Sequence, residues 1–482
     1  MWKSKSRFLV PILAVAAVLW IGALGCTDEK TIYVERPFFQ DPAPEAAGFL
    51  GYDEADAKLT VCGNCHVGQQ TRWKTSAHAD AWDGLQASGH ANEACENCHT
   101  TGPLGNATEG EVGYAGTLAE RYYDVQCESC HGSGLAHVLN PDVEANQPLA
   151  SLGASLTTSC GECHQAAHHP FVEEWEQSLH AEVNDHIVER LEGNPNDAAC
   201  SPCHTGQAAL ASWGVTNNFL EADASGPDHF GITCAVCHDP HGSMHSGQLR
   251  FPIDVASEEQ NLCMKCHHKR AEPETESATI RGPHSPEGPL LLGEAGWWPP
   301  GFEPKVDRIV ASHGTEGNKR LCAGCHVTTF DVTSEGTGEF LFSATGHLFQ
   351  AIPCLDDEGI PTTSEDCEDN ERYFAGCATS GCHATAEAAL NAYQTAKGRI
   401  ADLVVEIDLL LEMVPEEEFV LNDGNFTLAD GAWFNARLGD LPGTSTHNPF
   451  LSEQLLTATA KALRETYGLS SPTGVSLDLI YE

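Results

Sequence analysis

The chain has 482 residues, with 69 Asp and Glu against 25 Lys and Arg, giving a formal net charge of −44. This charge argues against nucleic acid as a partner, because phosphate binding requires clustered cations. Hydrophobic residues make up 41% of the chain, below the ~45–50% usual for globular proteins, so something other than side chains is expected to fill part of the interior. The unusual counts are 21 Cys and 24 His.

Residues 1–25 are predicted to be an export signal. Three cations precede an apolar run over 8–24, which is shorter than the ~20 residues that a membrane-spanning helix prefers. The run ends in the sequence ALGC at Cys26, which resembles a bacterial lipoprotein signal whose Cys carries lipid. A cleaved soluble form and an uncleaved anchor are the alternatives, and all three place the chain outside the cytoplasm. The proline-containing segment 26–57 is predicted to be a tether.

Eight segments have the pattern C-x-x-C-H, the signature of c-type haem attachment. Two thiols add to the haem vinyl groups, and the adjacent His then reaches the iron. Zinc ribbons and structural disulfides are the alternatives, but neither requires a His directly after every second Cys. The residues are Cys62, Cys65 and His66; Cys95, Cys98 and His99; Cys127, Cys130 and His131; Cys160, Cys163 and His164; Cys200, Cys203 and His204; Cys234, Cys237 and His238; Cys263, Cys266 and His267; and Cys322, Cys325 and His326.

A ninth motif is less regular. Cys377 and Cys382 are separated by four residues, and His383 follows directly, which resembles the longer attachment motif of class III low-potential cytochromes c. The alternative is that Cys377 and Cys382 form two disulfides together with Cys354 and Cys367. If Cys377 and Cys382 hold a ninth haem instead, Cys354 and Cys367 are left to form one disulfide with each other. The sequence therefore predicts nine haems c, and eight at minimum.

The motifs also reveal an internal duplication. Motif starts at 62, 95 and 127 are echoed at 160, 200 and 234, and the pattern W-x-x-S-x-H-A occurs at both 73–79 and 175–181. We therefore predict two tri-haem units followed by three further haems and a helical segment. The predicted domains after the tether are 58–158, 159–260, 261–383 and 384–482.

Each haem iron requires a second axial ligand to be six-coordinate. The chain has only four Met, so His must supply most of these ligands. Repeat symmetry and proximity to the motifs select the candidates. His168 and His169 are alternatives for one second-ligand position. The predicted second ligands are His78, His137, His169, His180, His229, His241, His284, His313 and His347.

Several segments resemble known cytochromes. Residues 62–137, with CGNCH, WKTSAHA, CENCHTTG and QCESCHGSGLAH in that order, resemble the tetrahaem cytochrome c family of ammonia oxidisers and related octahaem cytochromes. Residues 234–267 resemble the paired-CxxCH module. Residues 446–449 resemble the GxHNP element of several multihaem cytochromes but differ in its lead-in, which leaves the role of His447 open. The resemblance implies bis-His haems packed in near contact and an electron-transfer role.

The predicted fold is mainly α, with short helices and long loops wrapped around a chain of haems and a C-terminal helical hairpin. Apolar residues keep helical spacing within 384–413. Asn448 is predicted to cap a second helix that begins at Pro449 and ends at Gly468. The segment 285–304, rich in Pro and Gly, is predicted to be a loop.

Two functions are compatible with these features. The first is an electron conduit without catalytic residues, working between periplasmic or membrane donors and an extracytoplasmic acceptor. It would be attached to the outer membrane through lipid on Cys26, facing the periplasm or the cell surface. Its acidic surface is expected to attract basic cytochromes or other redox proteins, and polymerisation into a haem filament is compatible with it. The alternative is an oxidoreductase acting on a small nitrogen or sulfur compound at one open haem, although the sequence contains no C-x-x-C-K motif.

Overall fold

The computed structural model describes much of the chain from residue 41 onward. The described residues are 41–150, 154–155, 158–183, 187–189, 199–215, 229–277, 279–305, 313–314, 317–364, 366–379, 382–420 and 423–480. The predicted export signal, Cys26 and most of the predicted tether lie outside them, so these predictions remain untested. Within the described ranges, no helix is both long and apolar enough to cross a membrane.

The described part of the chain is predominantly helical. Its first thirteen α-helices are short, with four to seven residues each, and the long helices lie near the C-terminus. The helices are α1 Val67–Trp73, α2 Ala81–Ala87, α3 Glu93–Glu96, α4 Tyr114–Thr117, α5 Cys127–His131, α6 Leu135–Leu139, α7 Phe171–Glu176, α8 Ser201–His204, α9 Gly206–Ser212, α10 Cys234–Cys237, α11 Glu287–Leu292, α12 Cys322–His326, α13 Ala375–Thr379, α14 Ala386–Leu411, α15 Leu428–Gly439, α16 Thr444–His447 and α17 Pro449–Tyr467.

Strands occur as small antiparallel ribbons of two strands each. The longest is β5–β6, in which Phe330 pairs with Ala344 and Val332 with Phe342. The strands are β1 Tyr52–Glu54, β2 Leu59–Thr60, β3 Ala154–Ser155, β4 Thr158–Ser159, β5 Phe330–Thr333, β6 Phe340–Ala344, β7 Cys354–Leu355 and β8 Pro361–Thr362. None of these ribbons provides a sheet face large enough to organise a domain.

The last part of the predicted tether packs into the folded body. Phe49 and Leu50 are fully buried. The backbone N–H groups of Leu50 and Gly51 each donate to the buried Glu128 carboxylate at 2.8 Å. The folded body therefore begins before residue 57, because these residues complete the surroundings of the third attachment motif.

The C-terminal region contains both predicted helices and a third one. Asn448 accepts a hydrogen bond from the Leu451 N–H at 3.0 Å at the start of α17, and Gly468 ends that helix with φ +65°. Helix α15, which the predicted hairpin omits, begins with a capping box between Thr427 and Asp430. The three long helices share an apolar core containing Leu403, Ile407, Ala432, Leu456 and Leu463.

The prediction of a continuous loop over 285–304 is wrong, because this segment contains α11. Pro289 is the third residue of that helix, where its missing N–H would have no partner within the helix anyway. Leu290 and Leu291 are buried, and Gly293 ends the helix with φ +85°. Burial of the two leucines therefore stabilises a helix here despite the low helix propensity of the Pro and Gly residues around them.

The predicted disulfide between Cys354 and Cys367 is confirmed, with 6.0 Å between the two Cα atoms. The two cysteines are 13 positions apart in the sequence, and Cys354 is the first residue of β7. This crosslink lies just before the ninth attachment motif in the sequence.

Candidate haem-binding sites

The attachment motifs are numbered 1 to 9 in chain order, from Cys62–His66 to Cys377–His383. In motifs 1, 4 and 6 the backbone N–H of the motif His donates to the carbonyl of the first Cys at 2.9 Å. In motif 9 the N–H of His383 donates to the carbonyl of Cys377 at 3.4 Å, across two additional residues. The longer ninth motif therefore also folds its His back to its first Cys.

The rings of eight motif histidines each lie opposite a histidine that belongs to no motif. The interplanar angles range from 19° to 87°, whereas the centroid distances stay between 6.0 and 6.5 Å. The pairs are His66–His137 at 6.3 Å, His131–His241 at 6.3 Å, His164–His78 at 6.2 Å, His204–His284 at 6.1 Å, His238–His347 at 6.5 Å, His267–His180 at 6.1 Å, His326–His447 at 6.0 Å and His383–His313 at 6.2 Å.

This spacing fits two imidazoles that bind one metal ion from opposite sides. A metal–imidazole bond of about 2.0 Å and a ring centre about 1.1 Å behind the nitrogen place the two centroids about 6.2 Å apart. Rotation about the ligand axis leaves that distance unchanged, which accounts for constant distances and variable angles. The paired rings therefore have the separation that haem ligation requires.

The remaining motif histidine, His99, lies near His169. Burial, His168 and His99 together lower the pKa of His169. Eight of the nine predicted second ligands thus lie close to a motif histidine. The exception is His229, which no histidine ring faces within the described ranges.

Hydrogen bonds fix the orientation of several motif histidines. A backbone carbonyl can only accept, so an Nδ1 atom next to it must carry the proton, and Nε2 is left available for a metal. The carbonyl partners of Nδ1 are Ala81 for His99 at 2.7 Å, Pro148 for His131 at 2.7 Å, Gly247 for His238 at 2.5 Å and Phe349 for His326 at 2.7 Å.

Burial keeps most of the paired histidines neutral, which is the form that binds metals. It lowers the pKa of four of them to about 4, with neighbouring histidines adding to the effect. These are His164, His180, His347 and His447. His267 differs: burial alone would lower its pKa, but the Glu287 carboxylate, 3.2 Å from Nδ1, raises it.

The repeated W-x-x-S-x-H-A segment folds in the same way in both copies. The indole N–H of Trp73 donates to the Val125 carbonyl at 2.9 Å, and that of Trp175 donates to the Ile232 carbonyl at 2.8 Å. Each indole thus holds the W-x-x-S-x-H-A segment against the residues that directly precede the third motif of the same unit.

Several histidines outside the motifs face a motif histidine of a different predicted unit. His78 of the first unit faces motif 4, the first motif of the second unit, and His180 of the second unit faces motif 7. In the opposite direction, His241 faces motif 3 and His347 faces motif 6. The sequence boundaries at 158 and 260 therefore do not separate self-contained ligand sets.

The motif thiols also meet in a repeating pattern. Hydrogen bonding between thiols lowers the pKa of Cys98 and of Cys127 to about 7, and that of Cys203 to about 6. The thiol of the first cysteine in one motif interacts with the thiol of the first cysteine in another, and these motif pairs are 1 with 3, 4 with 6, and 7 with 8. The second cysteines interact in the same way between motifs 2 and 4 and between motifs 5 and 7. Motif 7 thus occupies the position of motifs 1 and 4, and motif 8 that of motifs 3 and 6.

Two family models and two curated relatives match parts of the chain. Residues 61–132 match the family described as cytochrome c554 and c-prime, and residues 230–272 match the doubled CXXCH motif. The chain is 27% identical over 166 residues to multiheme cytochrome MtrA of Shewanella baltica, covering 31% of this chain and 44% of that protein. It is 24% identical over 264 residues to the high-molecular-weight cytochrome c of Nitratidesulfovibrio vulgaris, covering 52% of this chain and 46% of that protein.

The chain is a multihaem c-type cytochrome. This cytochrome binds haem c through its CxxCH motifs, and it aligns with less than half of the length of either curated relative. Among solved structures it is similar to the outer cell wall cytochrome OcwA, with a TM-score of 0.49 and 16% identity over 86% of this chain and 100% of that chain.

Proposed function

We propose that this cytochrome transfers electrons along nine haems c, each held between two histidines, in the cell envelope. The observation that carries the proposal is the set of eight histidine pairs with centroid distances of 6.0–6.5 Å. His99 and His169 would hold the ninth haem. The proposed ligand set takes His447 in place of His229.

The surroundings of the histidines also suit a porphyrin. Val67, directly after His66, is 62% exposed, and Leu179, directly before His180, is 90% exposed. A haem bound at these two histidines would cover both apolar side chains and remove them from water. The haems would thus supply the missing part of the core, in agreement with the low apolar content of the sequence.

Each haem iron would supply a one-electron Fe(III)/Fe(II) couple. The chain would contribute neutral imidazoles on both sides of the iron and the thiols that anchor the macrocycle. Axial ligand identity, burial and nearby charge set haem potentials, and the surplus of carboxylates favours the ferric state. With two histidines at each iron, no coordination position would remain for a substrate.

The proposed location is outside the cytoplasm, at a membrane through lipid on Cys26. The export-type segment and its terminal ALGC sequence support this placement. The net charge of −44 supports basic redox proteins as partners, since long-range attraction would bring them to the cytochrome more rapidly at low salt.

Haem number and spin state test the proposed function together. Mass spectrometry of the mature protein should give nine haems, and EPR of the oxidised protein should show low-spin iron only. A mass for eight haems would remove motif 9 from the proposal. A substantial high-spin signal would indicate an open haem and favour an oxidoreductase instead of a conduit.

The lipid anchor needs a separate test. Cys26→Ala should abolish incorporation of labelled fatty acid and shift the cytochrome from the membrane to the soluble extracytoplasmic fraction. Equal labelling of the variant and the wild type would exclude Cys26 as the attachment point.

A further inference from the structure

The histidine of motif 7 has a carboxylate as its hydrogen-bond partner. The Nδ1 atom of His267 lies 3.2 Å from Glu287, whereas the Nδ1 atoms of the histidines in motifs 2, 3, 6 and 8 lie next to backbone carbonyls. We infer that Glu287 is a positioning residue that lowers the reduction potential of the haem bound at motif 7. This inference rests on the proposed function, because it assumes a haem at that motif.

The backbone of α11 holds Glu287 beside the motif. Glu287 is the first residue of this helix, and the N–H of the next residue, Gly288, donates to the His267 carbonyl at 2.9 Å. A Cβ atom on Gly288 would lie 2.8 Å from that carbonyl oxygen and 3.0 Å from the Met264 side chain. Residue 288 must therefore lack a side chain for α11 to approach motif 7 this closely.

Apolar packing fixes the rest of α11. Leu291 lies in one buried cluster with Met264 of motif 7, and Leu290 lies in another with Leu455 of α17. The short helix is thus held between the motif and the C-terminal helices. Its first residue therefore has little freedom to move away from the motif histidine.

The charge of Glu287 is not offset by a cation, since no Lys or Arg of the described ranges forms an ion pair with it. Asp239 provides the contrast, because its carboxylate lies 3.6 Å from Nδ1 of His241, the histidine that faces motif 3. Arg72 and Arg250 each lie 3.5 Å from that carboxylate and offset its charge. The side chain of Glu287 is 35% exposed, and a carboxylate in such a position is ionised at neutral pH.

A carboxylate in this position acts on the iron through the imidazole. By accepting the hydrogen bond from Nδ1 it makes the imidazole a stronger donor to the metal. Ferric iron carries one more positive charge than ferrous iron, so both the stronger ligand and the nearby negative charge favour the ferric form. Coulomb's law for one charge about 7 Å from the iron, at an effective dielectric constant of about 40, gives roughly a tenfold effect on the equilibrium constant for reduction.

The test removes the charge of Glu287 and keeps the hydrogen bond. In Glu287→Gln the amide oxygen can still accept from Nδ1, so His267 stays oriented and the haem stays low-spin. The equilibrium constant for reducing that haem should rise about tenfold, which is about 59 mV for a one-electron couple. Glu294→Gln is the matched control, because it removes the same charge from an exposed side chain two residues after the end of α11.

EPR can report this haem separately from the others. The rings of His267 and His180 are 87° apart, whereas the other seven pairs have angles of 19–59°. Nearly perpendicular imidazoles leave two iron d orbitals almost equal in energy, which moves the largest g value of the low-spin signal above that of more parallel pairs. His180→Ala should remove this signal and thereby assigns it to motif 7.

An EPR-monitored redox titration follows this signal in the Gln variants. Glu287→Gln should raise its midpoint potential more than that of any other haem, and Glu294→Gln should shift it much less. Glu287→Asp retains the charge and should stay closer to the wild type than Glu287→Gln. An unchanged potential in Glu287→Gln, or equal shifts in the two Gln variants, would overturn the inference. A wild-type peptide whose Cys263 and Cys266 carry no haem in mass spectrometry would instead contradict the proposed function at this motif.

Discussion

Removal of the His447 ring tests the assignment that differs most from the sequence-based ligand set. The ring lies 6.0 Å from that of His326, at an interplanar angle of 19°, and its burial lowers its pKa to about 4. In His447→Ala, no side chain reaches the iron from that side. One haem in nine should become high-spin, which is about 11% of the total iron.

The rest of the molecule should retain its haems in this variant. His326 stays oriented by the Phe349 carbonyl, 2.7 Å from its Nδ1, and motif 8 keeps both thiols. The haem count by mass should therefore remain nine while EPR of the oxidised protein gains a high-spin signal. Exogenous imidazole should restore the low-spin spectrum, because it can occupy the space that the deleted ring leaves.

His229→Ala is the matched control, since it removes a histidine that the sequence places among the ligands but that faces no other histidine in the described ranges. Its spin state should equal that of the wild type. A His447→Ala protein that remains fully low-spin, or a His229→Ala protein that gains the high-spin signal, would refute the assignment.

Three further predictions concern stability. Replacing Cys354 and Cys367 with Ser should lower the free energy of local unfolding by about 3 kcal/mol, estimated from the 13-residue separation, and hydrogen exchange of the loop would measure it. Asn448→Ala should destabilise α17 by about 1 kcal/mol through loss of the N-cap, measurable as faster amide exchange in that helix; unchanged exchange would contradict the cap. The pKa of the buried Glu406 is lowered because hydrogen bonds from Thr473 and Arg464 outweigh the effect of burial. Its stabilising effect is therefore present above its ordinary pKa of 4.5 and is lost on acidification, so Glu406→Gln should cost about 2 kcal/mol at pH 7 and progressively less below pH 4.5 in chemical denaturation.

Local chemistry could be predicted from the sequence. The N-cap at Asn448 and the helix end at Gly468 depend on the conformations of a few neighbouring residues. The same holds for the disulfide between Cys354 and Cys367, which closes a short loop. Helix α15 had a local signal as well, because Thr427 and Asp430 form its capping box, but a single such pair is weak evidence without a long apolar pattern.

The identity of each histidine's partner could not be predicted from the sequence. Repeat symmetry predicts His78 and His180 as equivalent second ligands, and their rings face motifs 4 and 7, each in the following unit. Sequence proximity is a poor guide here, since His447 faces a motif more than a hundred residues earlier. The resemblance of residues 446–449 to a recurring cytochrome element was the signal that could have identified it.

Exchange of ligands between units explains how a chain with few long helices can hold one ordered structure. A unit cut after residue 158 would keep His78 but lose His164, the ring that it faces, and motif 3 would lose His241. Each unit is thus completed by side chains of the next, much as stacked repeats complete one another's cores in solenoid proteins. In this cytochrome the shared element is a pair of facing histidines instead of an apolar face. Unfolding of one unit would therefore remove histidine partners from its neighbour, which couples the stability of the units to one another.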